Sequence, residues 1–155
     1  MALEDWIDDV AALWDIGDGE GGLVRSYRVY ADDQPWPESL QELPCALSYA
    51  TDCTPEYSTG GPLVDLYRGV TEFHLFPNTA KINLPPLMRF FARIRNAAAG
   101  SMTLGGQVAH FLLRKDVPGI QGPVTLTYGQ DAPHLGILAN WEVKENVTGD
   151  YTPAA

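Results

Sequence analysis

The stretch LPPLMRFFARIRNAAAGSMTLGGQ, residues 84–107, decides the fold. Leu87, Phe90, Phe91, Ile94, Ala97 and Ala98 recur at the spacing of one helix face, which predicts a helix over Pro85–Ala99. Proline suits the first turn, where its missing N–H is not needed. Gly100 is the expected left-handed terminator. Thr103-Leu104-Gly105-Gly106 follows, then two strand-like runs, Val108–Lys115 and Val124–Tyr128. From Leu84 to Tyr128 the chain is at its most apolar. It also carries no acid between Glu72 and Asp116, in a protein with 20 acids and a net charge of −10.

On the N-terminal side, Leu3, Trp6, Ile7, Val10, Leu13 and Trp14 form one apolar stripe, so residues 2–15 read as a helix. Glu4, Asp5, Asp8 and Asp9 take its other face and suit the positive end of the helix dipole. Gly17–Gly22 is a flexible acidic linker. It follows a helix, not a strand, which excludes a dinucleotide loop, and it lacks the ordered carboxylates of a calcium loop. Leu23–Tyr30 reads as a strand, Asp32–Pro37 as a turn, Pro37–Leu43 as one helical turn and Cys45–Ala50 as a short strand. Asp52–Pro62 is polar, with Pro55 and Gly60-Gly61, and reads as an exposed mobile loop. Leu63–Phe76 is a long strand, partly apolar on both faces and therefore central or covered by another subunit, with a bulge or bend expected at Gly69.

On the C-terminal side, Leu135–Val147 alternates cleanly between an apolar and a polar face, as in an antiparallel sheet over a single core. Pro118-Gly119 and Gly129–Pro133 are short enough for hairpins. At 155 residues the chain fits one domain, here residues 1–150 with a frayed tail at 151–155. Two amphipathic helices with about five mostly antiparallel strands predict a two-layer α+β fold.

Residues 1–56 hold thirteen acids and only two bases, whereas 73–115 hold six bases and no acid. The overall acidity argues against non-specific nucleic-acid binding. The asymmetry fits either a solvated acidic half or a subunit whose acidic surface meets a neighbour's basic one. Arg89, Arg93 and Arg95 lie off the apolar stripe with no acid on their own helix, and a neighbour's acids are their expected partners. No leader and no membrane-length apolar run is present, so a reducing cytoplasm is the expected site of synthesis. Cys45 and Cys53 match neither a zinc pair nor a redox motif and are expected as free thiols.

Chemistry is hard to place. His74, His110 and His134 lie on three separate elements, so only the fold could assemble them into a metal site, and no cofactor is expected. No nucleophile elbow, zinc-protease motif or phosphate loop occurs. Asp8-Asp9 and Asp32-Asp33 are adjacent acids in solvated settings, and Asp65 and Glu72 fall on opposite strand faces. A structural subunit is the reading these residues favour over an enzyme. The alternative is a small-ligand-binding or enzymatic domain lined by Trp6, Trp14 or Trp141, with one of the histidines beside a carboxylate.

From Asn96 to Gly136 the chain resembles siphophage tail terminator proteins. The resemblance rests on a central helix leading into Thr103-Leu104-Gly105-Gly106, the strand Val108–Leu113, the pair Tyr128-Gly129 and the long strand Leu135–Val147. Leu43-Pro44 before a short strand is also similar. Neighbouring head–tail joining and tube proteins share parts of the pattern. The resemblance implies a homo-oligomer, a hexameric ring, which caps the tail tube and docks to the head connector in the virion. Genomic DNA would cross the lumen without specific readout. Such a ring needs one patch to meet a different patch on the next copy. The expected interface residues are Arg89, Arg93, Arg95, Asp8 and Asp9, together with Leu104, Gly105 and Gly106, which the resemblance adds.

Overall fold

The computed structural model of the chain describes residues 3–14, 25–28, 36–40, 43–57, 63–77 and 84–147. The Gly17–Gly22 linker, most of the Asp32–Pro37 turn and the C-terminal tail from Thr148 lie outside them.

The two expected helices form. Helix α1, Leu3–Trp14, buries Trp6, Ile7, Val10 and Trp14. Helix α2, Leu84–Ala99, buries Leu87, Phe90, Ile94 and Ala98. Both cover one face of a six-stranded sheet, whose order is β1-β2-β3-β6-β4, with β5 also paired to β6. The strands are β1 (Arg25–Tyr27), β2 (Cys45–Glu56), β3 (Val64–Pro77), β4 (His110–Leu113), β5 (Ile120–Leu126) and β6 (His134–Asn146). Only β1–β2 is parallel. The chain is thus an α+β protein with a mostly antiparallel sheet, as its periodicities predict.

Under the helices, cross-strand rows build the core. Ala46, Phe73 and Ile137 lie side by side on β2, β3 and β6, and Tyr67, Val143 and Phe111 on β3, β6 and β4. Trp6 packs edge-on to Tyr67 at 5.2 Å and to Trp141 at 6.0 Å, and Trp14 packs edge-on to Phe73 at 5.2 Å. Edge-to-face pairs of this kind add to the free energy of burial itself. Several polar atoms within the core have partners, whereas the Trp14 indole N–H finds none among the described residues. The Trp141 indole N–H donates to Thr71 Oγ1 at 3.1 Å, and that hydroxyl shares a 2.8 Å hydrogen bond with Ser48. The Trp6 indole N–H donates to the buried Glu145 carboxylate at 2.7 Å, tying α1 to β6.

Five expectations need correction. Of the helical turn expected at Pro37–Leu43, residues 37–40 are not helical, with bends at 38–39, and residues 41–42 lie outside the described ones. The expected loop at Asp52–Pro62 is strand as far as Glu56, paired with β3 down to Glu56↔Val64. Its side chains are exposed, so composition marks a loop, but ladder hydrogen bonds depend on backbone and not on polarity. The bulge expected at Gly69 sits opposite it, where Thr51 is extra between Ala50↔Gly69 and Asp52↔Arg68. Gly69 is required for another reason: a Cβ there would meet Trp141 Cη2 at 2.2 Å, so the indole lies over the bare backbone. Gly100 has no left-handed backbone, and the positive φ angles come later, at Leu104 (50°), Gly105 (72°) and Gly106 (88°).

The fifth correction concerns Pro118-Gly119, which makes no hairpin. Strands β4 and β5 lie end to end along the same edge of β6, β4 on residues 141–144 and β5 on 134–139. Residues 114–119 loop out between them and close on Asn140. Its carbonyl accepts from Arg114 N at 2.9 Å, and its own N–H donates to Gly119 O at 2.8 Å. The Asn140 side-chain amide donates to Pro118 O, also at 2.9 Å. The turn at Gly129, φ 53°, does join β5 to β6 as a hairpin.

Candidate functional site

The eight expected interface residues separate into surface and interior. On α2, Arg89 and Arg95 are exposed, whereas Arg93 lies half-buried with its guanidinium 5.2 Å from the centre of the Phe90 ring. Leu104 is a core residue, 3% exposed, and packs with Val108 and α2, so it contributes no surface. Its left-handed backbone is unfavourable for a branched side chain, and burial of that side chain offsets the strain. Gly105 and Gly106 are exposed at the tip of a turn closed on Thr103, which accepts from Gly106 N at 3.0 Å and Val108 N at 3.2 Å. Asp8 and Asp9 are half-buried on α1. Asp9 accepts a hydrogen bond from the Gln107 side chain, so it clamps α1 to the Leu104–Gly106 turn within the subunit.

The α2 surface holds more than arginines. Met88 is 57% exposed and Met102, just past the helix end, 51%. Ala92 and Ala99 are exposed between them. The outer side of α2 therefore presents apolar side chains beside Arg89 and Arg95, with no acid on the helix. Sequence reading missed this second stripe because the stronger buried one accounts for the periodicity; Met88 and Met102 out of phase with it were the available signal.

The opposite sheet face differs at its two ends. Toward the far end of β2 it is a ladder of mixed charge: His110 Nε2 lies 3.6 Å from Glu142, and Lys144 Nζ 3.8 Å from Glu56. On the nearby 114–119 loop, Arg114 Nε donates to Asp116 at 2.9 Å and holds that carboxyl down at about 2. Such paired charges suit a solvated face.

At the other end the sheet carries a second, smaller core of Leu40, Cys45 and Leu47, flanked by Tyr27, Trp36, Leu43 and Tyr128. Within it two histidines meet that lie 60 residues apart in sequence: His74 Nδ1 is 2.9 Å from His134 Nδ1. His74 Nε2 is 3.0 Å from Glu72 Oε1, and the Tyr49 hydroxyl donates to Glu72 Oε2 at 2.5 Å. Burial alone would raise the Glu72 pKa, but the hydrogen bonds from His74 and Tyr49 and the nearby imidazole bring it below its ordinary value. Burial, with Glu72 alongside, pushes the Tyr49 phenol up. Burial and the neighbouring His74 lower the His134 pKa against the pull of Asp131. So a histidine does sit beside a carboxylate, but His74 is fully buried and its partners are internal.

Trp6, Trp14 and Trp141 fill the core and pack on the rings around them. Cys45 is buried and Cys53 exposed, both as free thiols. Among the described residues no three His, Cys, Asp or Glu side chains are placed to hold a metal ion, and no helix is long and apolar enough to cross a membrane. No protein-family model and no curated protein matches the chain.

Proposed function

We propose that the chain is a structural virion subunit, a tail terminator whose copies form a hexameric ring that caps the tail tube and joins it to the head connector. The observation that carries the reading is the outer side of α2, where exposed Met88, Ala92, Ala99 and Met102 adjoin Arg89 and Arg95 on a helix with no acid. An apolar strip flanked by guanidinium groups fits an acidic protein surface better than solvent. The chain supplies such a surface itself, since its net charge is −10 and its first 56 residues hold thirteen of its 20 acids. A patch on one copy that meets a different patch on the next generates a ring when the rotation closes.

The sheet edges favour face-to-face docking over strand addition. Beyond Leu47 the outer edge of β2 carries the Thr51 bulge, Asp52, Pro55 and Glu56, and β5 has Pro123 within a register skip. Bulges, prolines and charges of this kind oppose edge-to-edge pairing. The test is the double variant Arg89→Glu/Arg95→Glu. We expect the far-ultraviolet spectrum to be unchanged and the ring, measured by mass photometry at low and high salt, to weaken by about tenfold or more. A wild-type chain that stays monomeric at micromolar concentration, even with tube protein added, would overturn the reading.

A further inference from the structure

Helix α2 and the distal half of β2 lie at opposite edges of the sheet. The strand order runs β1-β2-β3-β6-β4, with β4 and β5 end to end on the outer edge of β6. Helix α1 packs over β1 and β2, and α2 over β4 and β5. On the β2 side, β1 pairs only with residues 45–47, and among the described residues no strand pairs with the outer edge beyond them. From Thr51 to Tyr57 every side chain is exposed, although the backbone stays paired with β3 as far as Glu56. Residues 51–57 thus form an arm with both faces and its outer edge open. Tyr57, at its end, is 84% exposed, more than any other large hydrophobic side chain among the described residues. A ring with so little cover contributes almost nothing to the stability of its own subunit.

The two edges are opposite in charge. The arm and the strand ends beside it, residues 51–57, 63–68 and 142–147, hold five acids (Asp52, Glu56, Asp65, Glu142 and Glu145) against two bases, Arg68 and Lys144. Lys144 lies 3.8 Å from Glu56, and Arg68 stands opposite Asp52 in the ladder, so both bases are already used within the subunit and an excess of negative charge remains. Residues 84–102, helix α2 and its end, hold three arginines and no acid. The α2 edge also carries the two exposed methionines, Met88 and Met102. The acids of α1 fit this strip less well: Asp8 and Asp9 are half-buried, and Asp9 is taken by the Gln107 side chain.

We infer that the β2 arm of one copy docks on the outer side of α2 of the next, with the Tyr57 ring against the exposed methionines and the carboxylates of the arm toward Arg89 and Arg95. Tyrosine is a common anchor in such contacts, and a thioether against an aromatic ring is a favourable pair. Opposite charge then fixes which patch meets which and opposes the pairing of two arms or two α2 faces. Because the patches sit at opposite edges of the sheet, each copy gives one arm and receives another, and the contacts run head to tail until the rotation closes. This contact rests on the ring proposed above and names the neighbour's surface that covers the α2 strip.

The test cross-links the full chain in a Cys53→Ser background, where the remaining native thiol, Cys45, is buried. Tyr57→Cys is combined with Met88→Cys in one variant and with Met102→Cys in another, and each is oxidised briefly with copper phenanthroline at micromolar concentration. A disulfide forms only where Cα atoms approach within about 7 Å. At least one double variant should give a covalent ladder that ends at the size of the ring, because every copy links both forward and back. Each single variant alone should link nothing, and the two singles of that pair, mixed, should give dimers only. Rings in mass photometry with no link from position 57 to α2 overturn the arm contact and leave the ring standing. A single variant that links to itself shows a symmetric contact and also overturns it. A wild-type chain that stays monomeric with and without tube protein removes both. Tyr57→Ser gives a second measurement without cysteines. Its far-ultraviolet spectrum should be unchanged, and the concentration for half-assembly should rise by about tenfold or more; an unchanged concentration overturns the inference.

Discussion

At Gly136 a single methyl group would land 2.1 Å from the Phe73 carbonyl oxygen and 2.7 Å from Leu126 Cδ1. Backbone cannot yield there without breaking the β3–β6 ladder, so Gly136→Ala should lose about 3 kcal/mol or more, or fail to accumulate as soluble protein. Gly105→Ala meets nothing within 4 Å and bears only the strain of its φ of 72°, so it should lose about 1 kcal/mol. Urea unfolding of the two variants checks the order, and equal losses would contradict it. Little of this was legible in the sequence. Gly69 was marked by its place within a strand, but its reason, the Trp141 indole, comes from 72 positions away. Gly136 carried no mark, because the atom it must clear belongs to Phe73. His74 and His134 were visible only as isolated side chains, since nothing local says that Pro77 faces His134 across two strands.

Among the elements, α1, α2 and β6 were legible because each has one wet and one dry face, and the burial pattern follows the period. The distal half of β2 was not, since a strand paired along one side with both faces exposed has no apolar signature. The β4–β5 pair was misread as a hairpin because turn residues also serve to loop out of a continuous edge. Helix α1 allows a test at this scale. Its link to β6 includes the Trp6 indole and the buried Glu145 carboxylate at 2.7 Å. Trp6→Phe keeps an aromatic ring but removes the indole N–H and leaves a smaller side chain in a fully buried site, so stability should drop by about 2 kcal/mol or more. The loss should appear as a lower unfolding midpoint with α1 amides exchanging earlier than those of α2; a loss below about 0.5 kcal/mol would mean the hydrogen bond contributes little.

For the whole molecule, acid stability depends on carboxylates held by donors. Glu72 lies below its ordinary 4.5 because His74 and Tyr49 donate to it, despite the opposing effect of burial. A lowered folded pKa gives stability that is complete above about 4.5 and is lost as pH falls through the folded value. Tyr49→Phe removes one donor, so the Glu72 pKa should rise toward its ordinary value. The variant should be weaker at neutral pH and show a shallower fall in urea midpoint from about pH 5 to about pH 3. An unchanged slope would assign the acid loss to other groups. The interface residues proposed for the ring also belong to this scale, since they gain meaning only when a second copy is present. Strand β6 is the partner of β3 on one side and of both β4 and β5 on the other. As the last described strand in chain order, it is also the last of them to leave the ribosome. Until it emerges, β4 and β5 have no partner in the sheet and β3 has only β2. The nascent chain can close the β2–β3 hairpin and little else, so the core must form in one late, long-range step, with the apolar stripes of α1 and α2 uncovered until then.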